Sequence, residues 1–252
     1  MGRRVDGAGG VRKAEEGDAG HDRRPRARGF AAVYEELRED ILSLRIAPGT
    51  PIDEVALAAR FGLSRTPIRE ALLMLSREDI VTFLPSRSAI VTPHSMANAH
   101  AYMDALMLLS RAILRLAAET RSDAALAAIR AREGAYALAA TGDSHGTIAA
   151  DLAFHRAIAD ASGNEFLGNF YRLTLDYGRR MHLIYYYPLF GPDERAAAIA
   201  DHAAMTEAIA ARDLDRCEDL AGRHVMAELR VIQRSLEPKV GLRVSLDPVG
   251  VA

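Results

Sequence analysis

Four polar residues in the C-terminal half of the sequence have the types and the spacing of metal ligands. Asp151 and His155 are four residues apart in the helical-looking stretch DLAFHRAIADASGN, so a helix would project both side chains from one face. His202 and His224 lie in two further helical stretches and would close the site across a bundle. Three imidazoles and one carboxylate suit Zn²⁺, Ni²⁺, Mn²⁺ or Fe²⁺. Taken singly, each histidine is explained as well by an ordinary core or surface position.

A second group of residues, nearer the N-terminus, has the character of a nucleic-acid contact. In FGLSRTPIREALLMLSRE, the turn-prone Gly62 and the N-cap candidate Ser64 precede a helix. Arg65 and Arg69 lie one turn apart on one face of that helix, where the helix dipole already carries partial positive charge. This arrangement indicates an anionic partner, and arginine can make a bidentate contact with guanine in the major groove. A solvated arginine face is the commoner cause of such a pattern.

The stretches around the arginine pair predict a winged helix-turn-helix over residues 29–92. From Phe30 to Leu44, apolar residues recur at spacings of three and four, which is typical of an amphipathic helix. DEVALAARF predicts a second short helix, and the helix after Ser64 is the third. The pieces IVTFL and SAIVT look like two strands joined by the turn-prone PSRS, with Ser86 and Arg87 at its tip. The third helix is then the recognition helix.

Length and composition limit the class of protein. The chain has 252 residues, 49% hydrophobic and 6% aromatic with no Trp, which favours helices over sheets. Its net charge of −2 excludes a general polycation, so a nucleic-acid surface must be local. The single cysteine, Cys217, excludes an internal disulfide and suits a reducing cytoplasm. No apolar run approaches the roughly 18 residues of a membrane span, so we expect a cytoplasmic protein with no membrane partner.

The rest of the chain divides into a tail, a helical domain and a second tail. Residues 1–28 combine glycines and charges with almost no large apolar side chains, which predicts a disordered basic tail. Residues 93–236 predict an all-α antiparallel bundle, and residues 237–252 a loose C-terminal tail. The six predicted helices lie near 94–119, 122–140, 144–162, 164–186, 192–211 and 213–236.

The N-terminal motifs resemble those of a known family. LSRTPIREAL, preceded by LREDILSLRIAPGTPIDEVALAARFG and followed by a short wing, looks like the DNA-binding domain of GntR-type transcription regulators. The resemblance implies DNA contacts from six residues on the recognition helix and the wing tip: Ser64, Arg65, Thr66, Arg69, Ser86 and Arg87. The sequence departs from the family pattern at Asp79 and Ser88, where glycines are usual, and these departures bear on the wing contact.

The C-terminal half resembles the FCD domain, the ligand-binding domain of the FadR subfamily of these regulators. Metal-binding members use an Asp-x-x-x-His helix and two later histidines, and all four positions are filled here: Asp151, His155, His202 and His224. The resemblance implies a divalent metal ion whose open coordination positions are completed by a small organic acid. The ion is then part of a metabolite sensor.

The expected effector pocket departs from that family pattern. Leu106 stands where the family usually has an arginine for the ligand carboxylate, and Ser110 replaces a common acidic residue. Arg111 is the nearest arginine, and Leu106 and His182 are the other candidates for effector contact. Leu106 would make the pocket more apolar, unless it serves helix packing. The remaining histidines lack such a pattern and are assigned a structural role: His94, His100 and His145.

Together these features predict a transcription regulator, a repressor that binds a pseudo-palindromic operator as a homodimer and responds to a small carboxylate metabolite. A two-fold DNA site requires two recognition helices about one turn of DNA apart, which is the reason to expect a dimer. One alternative is a metal-dependent enzyme, for which Glu165 and Tyr177 are the best acid-base candidates. Another is a helical domain that serves only dimerisation.

Overall fold

The computed structural model describes residues 23–86 and 88–237, which form a small N-terminal domain and a larger helical domain. The described N-terminal part contains helices and short strands in this order: α1 (Arg23–Leu42), β1 (Pro51–Ile52), α2 (Glu54–Phe61), α3 (Arg65–Arg77), β2 (Val81–Phe83) and β3 (Ala89–Val91). This is a winged helix-turn-helix, and the predicted fold class is confirmed.

The three N-terminal helices pack around one apolar core. Leu37 and Ile41 on α1 and Leu72 and Leu75 on α3 are almost fully buried in the same cluster. Burying an aliphatic side chain of this size contributes about 1.5–3 kcal/mol, so the amphipathic pattern read from the sequence is what holds α3 in place. The opposite face of α3 is left to solvent, and that face carries the arginine pair.

The turn between α2 and α3 is fixed by local chemistry. Asp53 caps α2, because its carboxylate accepts hydrogen bonds from the N–H groups of Val55 and Ala56. Gly62 ends α2 with a φ of 63°, a left-handed conformation that glycine adopts without steric cost. Ser64 stands at the N-cap of α3, but its side chain makes no capping hydrogen bond. The first N–H groups of α3 are therefore not occupied by that hydroxyl.

The wing contains one strand more than the sequence predicted. β2 and β3 form the predicted antiparallel hairpin, and β1 adds to it with Pro51 opposite Ile90, so that the strand order is β1-β3-β2. A two-residue strand is too short for any alternation of apolar and polar residues to reveal it.

The start of α1 corrects the predicted extent of the N-terminal tail. That tail was expected over residues 1–28, whereas α1 begins at Arg23. Pro25 falls in the first turn of the helix, where its missing N–H removes no helical hydrogen bond. Residues 1–22 and the C-terminal tail beyond residue 237 lie outside the described residues, as does Arg87.

The second domain consists of six long helices, as predicted: α4 (Ala99–Thr120), α5 (Asp123–Ala139), α6 (Ser144–Ala161), α7 (Glu165–Met181), α8 (Pro192–Ala211) and α9 (Leu214–Leu236). α4 and α9 share the most extensive contact, and the core between the helices includes Ile113, Phe154 and the buried Cys217. α4 begins five residues later than predicted; the Ser95 hydroxyl instead accepts from the Ala97 N–H in a local turn. Among the described helices, none has the length and apolar character of a membrane span.

The end of α7 is irregular in a way that the sequence did not reveal. The predicted helix continues to residue 186, but the regular helix stops at Met181 and a π-helical turn spans His182–Tyr186. A 3-10 turn, Tyr187–Leu189, follows, and Pro188 within it cannot donate a backbone hydrogen bond. Such turns often occur at functional sites, and this one brings His182 into the interior.

Ion pairs join the two domains through α1 and α7. Arg179 on α7 makes a bidentate contact with Glu39 on α1, with Nη1 and Nη2 at 2.6 and 2.7 Å from the carboxylate oxygens. Asp176, one turn earlier on α7, accepts from Arg38 Nη2 at 2.9 Å. Because both pairs lie just before the π-helical turn, α7 connects that turn with the DNA-binding domain.

Candidate metal centre and candidate nucleic-acid interface

Three histidines from three helices converge inside the second domain. His155 on α6, His202 on α8 and His224 on α9 each offer a ring nitrogen, and these nitrogens all lie within 4.8 Å of one another. All three residues are at most 6% exposed. Imidazole nitrogens at such mutual distances can share one metal ion, so the structure brings together the three histidines named from the sequence.

Asp151 lies beside this cluster, one turn before His155 on α6. Its Oδ1 is 3.5 Å from Nε2 of His202 and 3.8 Å from Nε2 of His155. Burial, and then repulsion by Glu228, raises the pKa of Asp151 to about 7. A largely buried carboxylate of this kind is protonated more easily than usual. A bound metal ion would favour its charged form, so Asp151 is suited to ligate one.

The charges in the cluster are distributed unevenly. Burial, and then the charge of His224, lowers the pKa of His155 to about 3 and holds the pKa of His202 well below its usual value. Burial alone would also lower the pKa of His224, but hydrogen bonds to Asp201 and Glu228 outweigh it and raise that pKa to about 10. At neutral pH His155 and His202 are therefore neutral and ready to ligate, whereas His224 must lose a proton first.

Unused nitrogens support the fit of a metal ion to these residues. Neither ring nitrogen of His202, which is fully buried, has a hydrogen-bond partner among the described residues, and Nε2 of His224 has only the Glu228 carboxylate, 3.4 Å away. Nδ1 of His155 lies 3.2 Å from the Tyr171 hydroxyl, which orients that ring from behind. A buried polar atom without a partner is costly, and a metal ion would bind a ring nitrogen of His202 and one of His224 together.

The cavity at the cluster is small. Its volume is about 20 Å³, about enough for one water molecule, and its wall includes Leu106, Ser110 and His182. Leu106 and His182 are therefore where the effector prediction placed them. Arg111 is not, because it lies on the outer face of α4 in an ion pair with Glu218 at 3.0 Å, and its place in the pocket is corrected. On α4 it follows Ser110 by one residue, which turns it to the other side of the helix.

Glu228 is the buried group that sequence reasoning missed. Its oxygens lie 3.4 Å from Nε2 of His182 and 3.4 Å from Nε2 of His224. Burial alone would raise the pKa of Glu228, but the charge and hydrogen bonds of His182 and of His224 hold it well below its usual value. The signal was present in the sequence, since His224 and Glu228 repeat on α9 the four-residue spacing of Asp151 and His155.

The acid-base candidates of the enzyme alternative lie away from the cluster. Glu165 is exposed in the first turn of α7, and Tyr177 is 43% exposed farther along the same helix. Neither lines the cavity at the histidines. The arrangement therefore offers ligands for an ion but no positioned proton donor from these two residues.

The arginine pair lies on the exposed face at the start of α3. The side chains of Arg65 and Arg69 are 67% and 45% exposed, and Thr66 between them is exposed as well. Glu54 on α2, which the sequence analysis did not single out, reaches both guanidiniums, at 3.4 Å from Arg65 and 3.1 Å from Arg69. Arg69 also lies over the ring of Phe83, 5.6 Å from its centroid. These contacts hold both arginines on the surface and leave donors free.

The wing carries the two departures noted in the sequence. Asp79 adopts a φ of 56°, a left-handed conformation that explains why a glycine is usual there and that aspartate tolerates better than most residues. Ser86 is exposed at the wing tip, where its hydroxyl hydrogen-bonds to that of Ser88 at 2.7 Å. The Ser88 side chain thus forms a hydrogen bond within the wing tip that a glycine could not make. Arg87, between them, is not among the described residues.

Comparison with known families agrees with this architecture. Residues 30–91 match the family of bacterial regulatory proteins called gntR, and residues 102–227 match the FCD domain. The chain belongs to the GntR family. As a GntR-family protein with an FCD domain, it is a regulator of transcription, and its relatives and structural neighbours are regulators rather than enzymes.

Individual relatives cover most of this GntR-family chain. A regulator of the helix-turn-helix type from Streptomyces ambofaciens, encoded in an unstable DNA locus, is 28% identical over 211 residues, 80% of this chain and 84% of the relative. The transcriptional repressor GlaR of Escherichia coli is 26% identical over 215 residues, 81% of this chain and 95% of GlaR. The structure of Escherichia coli McbR/YncC has a TM-score of 0.72 at 21% identity, covering 82% of this chain and 97% of that one, and shows the same fold.

Proposed function

We propose that this GntR-family regulator, of the FadR subfamily, is a cytoplasmic repressor whose operator affinity is controlled by a small carboxylate metabolite at a metal site. The observation that carries the sensor proposal is the group of three buried imidazoles whose ring nitrogens lie within 4.8 Å of one another, with both ring nitrogens of His202 free of hydrogen bonds to the described residues. The recognition helix with Arg65 and Arg69 supplies the DNA contact, and Ser64, Thr66, Ser86 and Arg87 are the further residues that the family resemblance assigns to it.

The metal proposal rests on the kind of donors present. His155, His202, His224 and Asp151 would hold the ion, and this set of three nitrogens and one oxygen suits Zn²⁺, Ni²⁺, Mn²⁺ or Fe²⁺. When bound, the ion supplies open coordination positions to a carboxylate. The chain's own Leu106, from α4, adds apolar wall beside that place, which favours an acid with a hydrophobic part.

Entry of an organic acid requires the cavity to enlarge. At about 20 Å³ it is too small for a metabolite, and its most adjustable wall is the π-helical turn that carries His182. Nδ1 of His182 lies 3.0 Å from the Gly178 carbonyl oxygen, one turn before it on α7, and Nε2 contacts Glu228. A ligand that displaces His182 therefore acts directly on the C-terminal part of α7.

The same part of α7 holds the DNA-binding domain. Asp176 and Arg179 pair with Arg38 and Glu39 on α1, and both lie within two turns of His182. Movement of α7 would change the position of the recognition helix relative to the FCD domain. Coupling free energies between such sites are typically about 1–3 kcal/mol, enough for about a 5- to 150-fold change in operator affinity.

An apolar stripe on α7 supports the homodimer. Phe166, Phe170 and Leu173 are 82%, 60% and 53% exposed and follow one another at spacings of four and three, so they form one face of the helix. Large aromatic side chains exposed in a row are unusual on a monomer surface and mark an interface. A second copy of the chain would cover them and present two recognition helices to a pseudo-palindromic operator.

The proposal is tested by a ligand screen joined to an operator assay. The operator is first selected from random DNA with the full chain, and small carboxylates are then screened by thermal shift on protein loaded with Zn²⁺, Ni²⁺ or Mn²⁺. A true effector should stabilise the wild type and weaken operator binding in a gel shift, and His202→Ala should abolish both effects. His145→Ala, an exposed histidine on α6, is the matched control and should behave as the wild type. Effector responses that survive His202→Ala would contradict the metal site.

A further inference from the structure

Arg180, near the end of α7, is a buried cation that forms no ion pair with a carboxylate of residues 23–86 or 88–237. The residue is 7% exposed, and its guanidinium donates to backbone carbonyls alone, from Nη1 to Thr92 at 3.0 Å and from Nη2 to Asp79 at 3.5 Å. The carboxylate of Asp79 is close enough to act on the pKa of Arg180 but forms no ion pair with it. The adjacent Arg179, by contrast, has Glu39. Because a buried charge without a counter-ion is costly, Arg180 requires an explanation.

A cavity of about 230 Å³ lies against Arg180, between the base of the wing and the start of α4. His94, Ser95 and Asn98 line it together with Arg180, and so does Asp79, the one acidic residue in its lining among the described residues. Nε of Arg180 and Nδ1 of His94 are both buried, and neither has a hydrogen-bond partner among the described residues. Arginine Nε always carries a hydrogen, so Arg180, which lines the cavity, has at least one unused donor. We call it the Arg180 cavity.

The start of α4 adds further positive potential to the Arg180 cavity. α4 is 22 residues long, its first turn contains no acidic residue, and the side chain of its N-cap, Asn98, makes no capping hydrogen bond. The positive end of this helix dipole is therefore not compensated by a local carboxylate, and helix N-termini of this kind bind anions. Burial, and then the charge of Arg180, lowers the pKa of His94, so its imidazole is a neutral hydrogen-bonding group, whereas the guanidinium and the helix end favour negative charge in the same place.

We propose that the Arg180 cavity binds a small oxyanion of the size of inorganic phosphate, held by Arg180, His94 and the N-terminus of α4. Free phosphate and the phosphate group of a small metabolite share this chemistry. Phosphate binding by charge-assisted hydrogen bonds would satisfy Nε of Arg180 and neutralise the buried cation. The other nearby carboxylates, Glu78 and Asp176, are already engaged by Arg38.

The position of the Arg180 cavity gives the anion a role distinct from that of the histidine cluster. Asp79 and Thr92 belong to the base of the wing, whereas Asn98 and Arg180 belong to the helical domain. None of these residues lines the cavity at the histidines. A bound oxyanion would bridge the two domains and fix the wing against α7, independently of any metal ion or carboxylate effector.

The test is thermal unfolding of the full chain, treated with a chelator, in phosphate and in chloride at the same ionic strength. The unfolding midpoint should rise with the logarithm of the phosphate concentration. Arg180→Gln should weaken phosphate binding at least about tenfold, because it removes the charge-assisted hydrogen bonds. Arg130→Gln, which removes an equal charge from an exposed ion pair with Glu207, should leave the response unchanged. Glycerol phosphate in place of phosphate shows whether an ester is accepted, which distinguishes a metabolite from the free ion.

A second variant keeps the test decisive if Arg180→Gln fails to fold. Asn98→Asp places a carboxylate at the N-cap of α4, so it should raise the unfolding midpoint in chloride and remove most of the phosphate response. His202→Ala should keep the full response. The proposal is overturned if phosphate stabilises no more than chloride, if Asn98→Asp responds as the wild type does, or if His202→Ala alone loses the response.

Discussion

Glu228 stabilises the buried cluster by holding two imidazoles at once. Its carboxylate contacts His182 and His224, and the side chain is 12% exposed, so solvent cannot replace it. Glu228→Gln keeps the shape but leaves two partly buried histidines without their anion. We expect the free energy of unfolding of the metal-free protein at pH 7 to fall by about 3 kcal/mol, measured by urea denaturation. Glu207→Gln, in an exposed ion pair, should change it by less than about 1 kcal/mol; equal effects would contradict the role of Glu228.

The protonation of the cluster predicts a pH-dependent metal affinity. In the metal-free protein the pKa of His224 is raised to about 10 and that of Asp151 to about 7, so both must lose protons to ligate, whereas His155 and His202 are already neutral. Binding should therefore release about one proton per ion at pH 8 and about two at pH 6, and affinity should fall as the pH falls. Calorimetry in two buffers of different ionisation enthalpy measures this release. A metal affinity that does not change between pH 6 and pH 8 would rule out these four residues as the ligands.

At the residue scale the sequence revealed the clustered histidines and Asp151 but not their surroundings. Asp151 and His155 share a helix, so their four-residue spacing sufficed to place them together, and the two later histidines followed from the family resemblance. The side of α4 that faces the cavity was harder to predict. Ser110 is buried, but Arg111, the next residue on α4, lies on the surface and forms an ion pair with Glu218. Ion pairs between distant helices leave no local pattern in a sequence.

At the element scale, α3 is the part of the DNA-binding domain that we expect to read the operator. Arg69 is held by Glu54 and Phe83 at the exposed start of that helix, so its guanidinium is already ordered before DNA arrives. Arg69→Ala should weaken operator binding by about 2 kcal/mol, roughly 30-fold, in a gel shift, with unchanged helical circular dichroism. Arg77→Ala, at the other end of α3, is the control for the loss of one charge and should have a much smaller effect. If both variants lost the same operator affinity, positive charge alone would explain the binding, and a specific contact from Arg69 would be contradicted.

Elements with a strong periodic pattern were predicted, and so was the short hairpin of β2 and β3, whereas β1 and the irregular turn after α7 were not. The breaks between the helices of the FCD domain coincide with caps such as Asp143 and Asn164, whose side chains accept from the following backbone. β1, with two residues, and the π-helical turn after Met181 depend on tertiary contacts rather than on local propensity. The turn matters most, because it carries His182 to the cluster.

At the scale of the whole molecule, the exposed stripe on α7 predicts the assembly. Phe170→Asp places a charge in the middle of that stripe, where a partner would bury it, and Phe170 is 60% exposed in the single chain, so folding should be unaffected. We expect a monomer in sedimentation and an operator affinity at least about tenfold lower, because one recognition helix then binds alone. Leu138→Asp, at a 78% exposed position on α5, should remain dimeric. A dimer that persists in Phe170→Asp would place the interface elsewhere.

α7 contacts both the histidine cluster and the DNA-binding domain, so in the proposed mechanism a change at the cluster would reach the DNA through this helix. Tyr171 on α7 contacts His155 of the histidine cluster, and Asp176 and Arg179 on the same helix pair with α1. The π-helical turn follows directly after Met181, the last residue of α7. Regulation then requires an effector that binds one position of α7 better than another. Nothing in the sequence announces this connection, since it depends on which face of α7 meets which domain.

The metal content of the chain tests the central claim most directly. Protein purified without chelator and analysed by inductively coupled plasma mass spectrometry should contain about one divalent ion per chain, and His202→Ala should contain none while His145→Ala keeps it. A wild-type chain that carries no ion, and takes up none when Zn²⁺, Ni²⁺, Mn²⁺ or Fe²⁺ is added, would contradict the account.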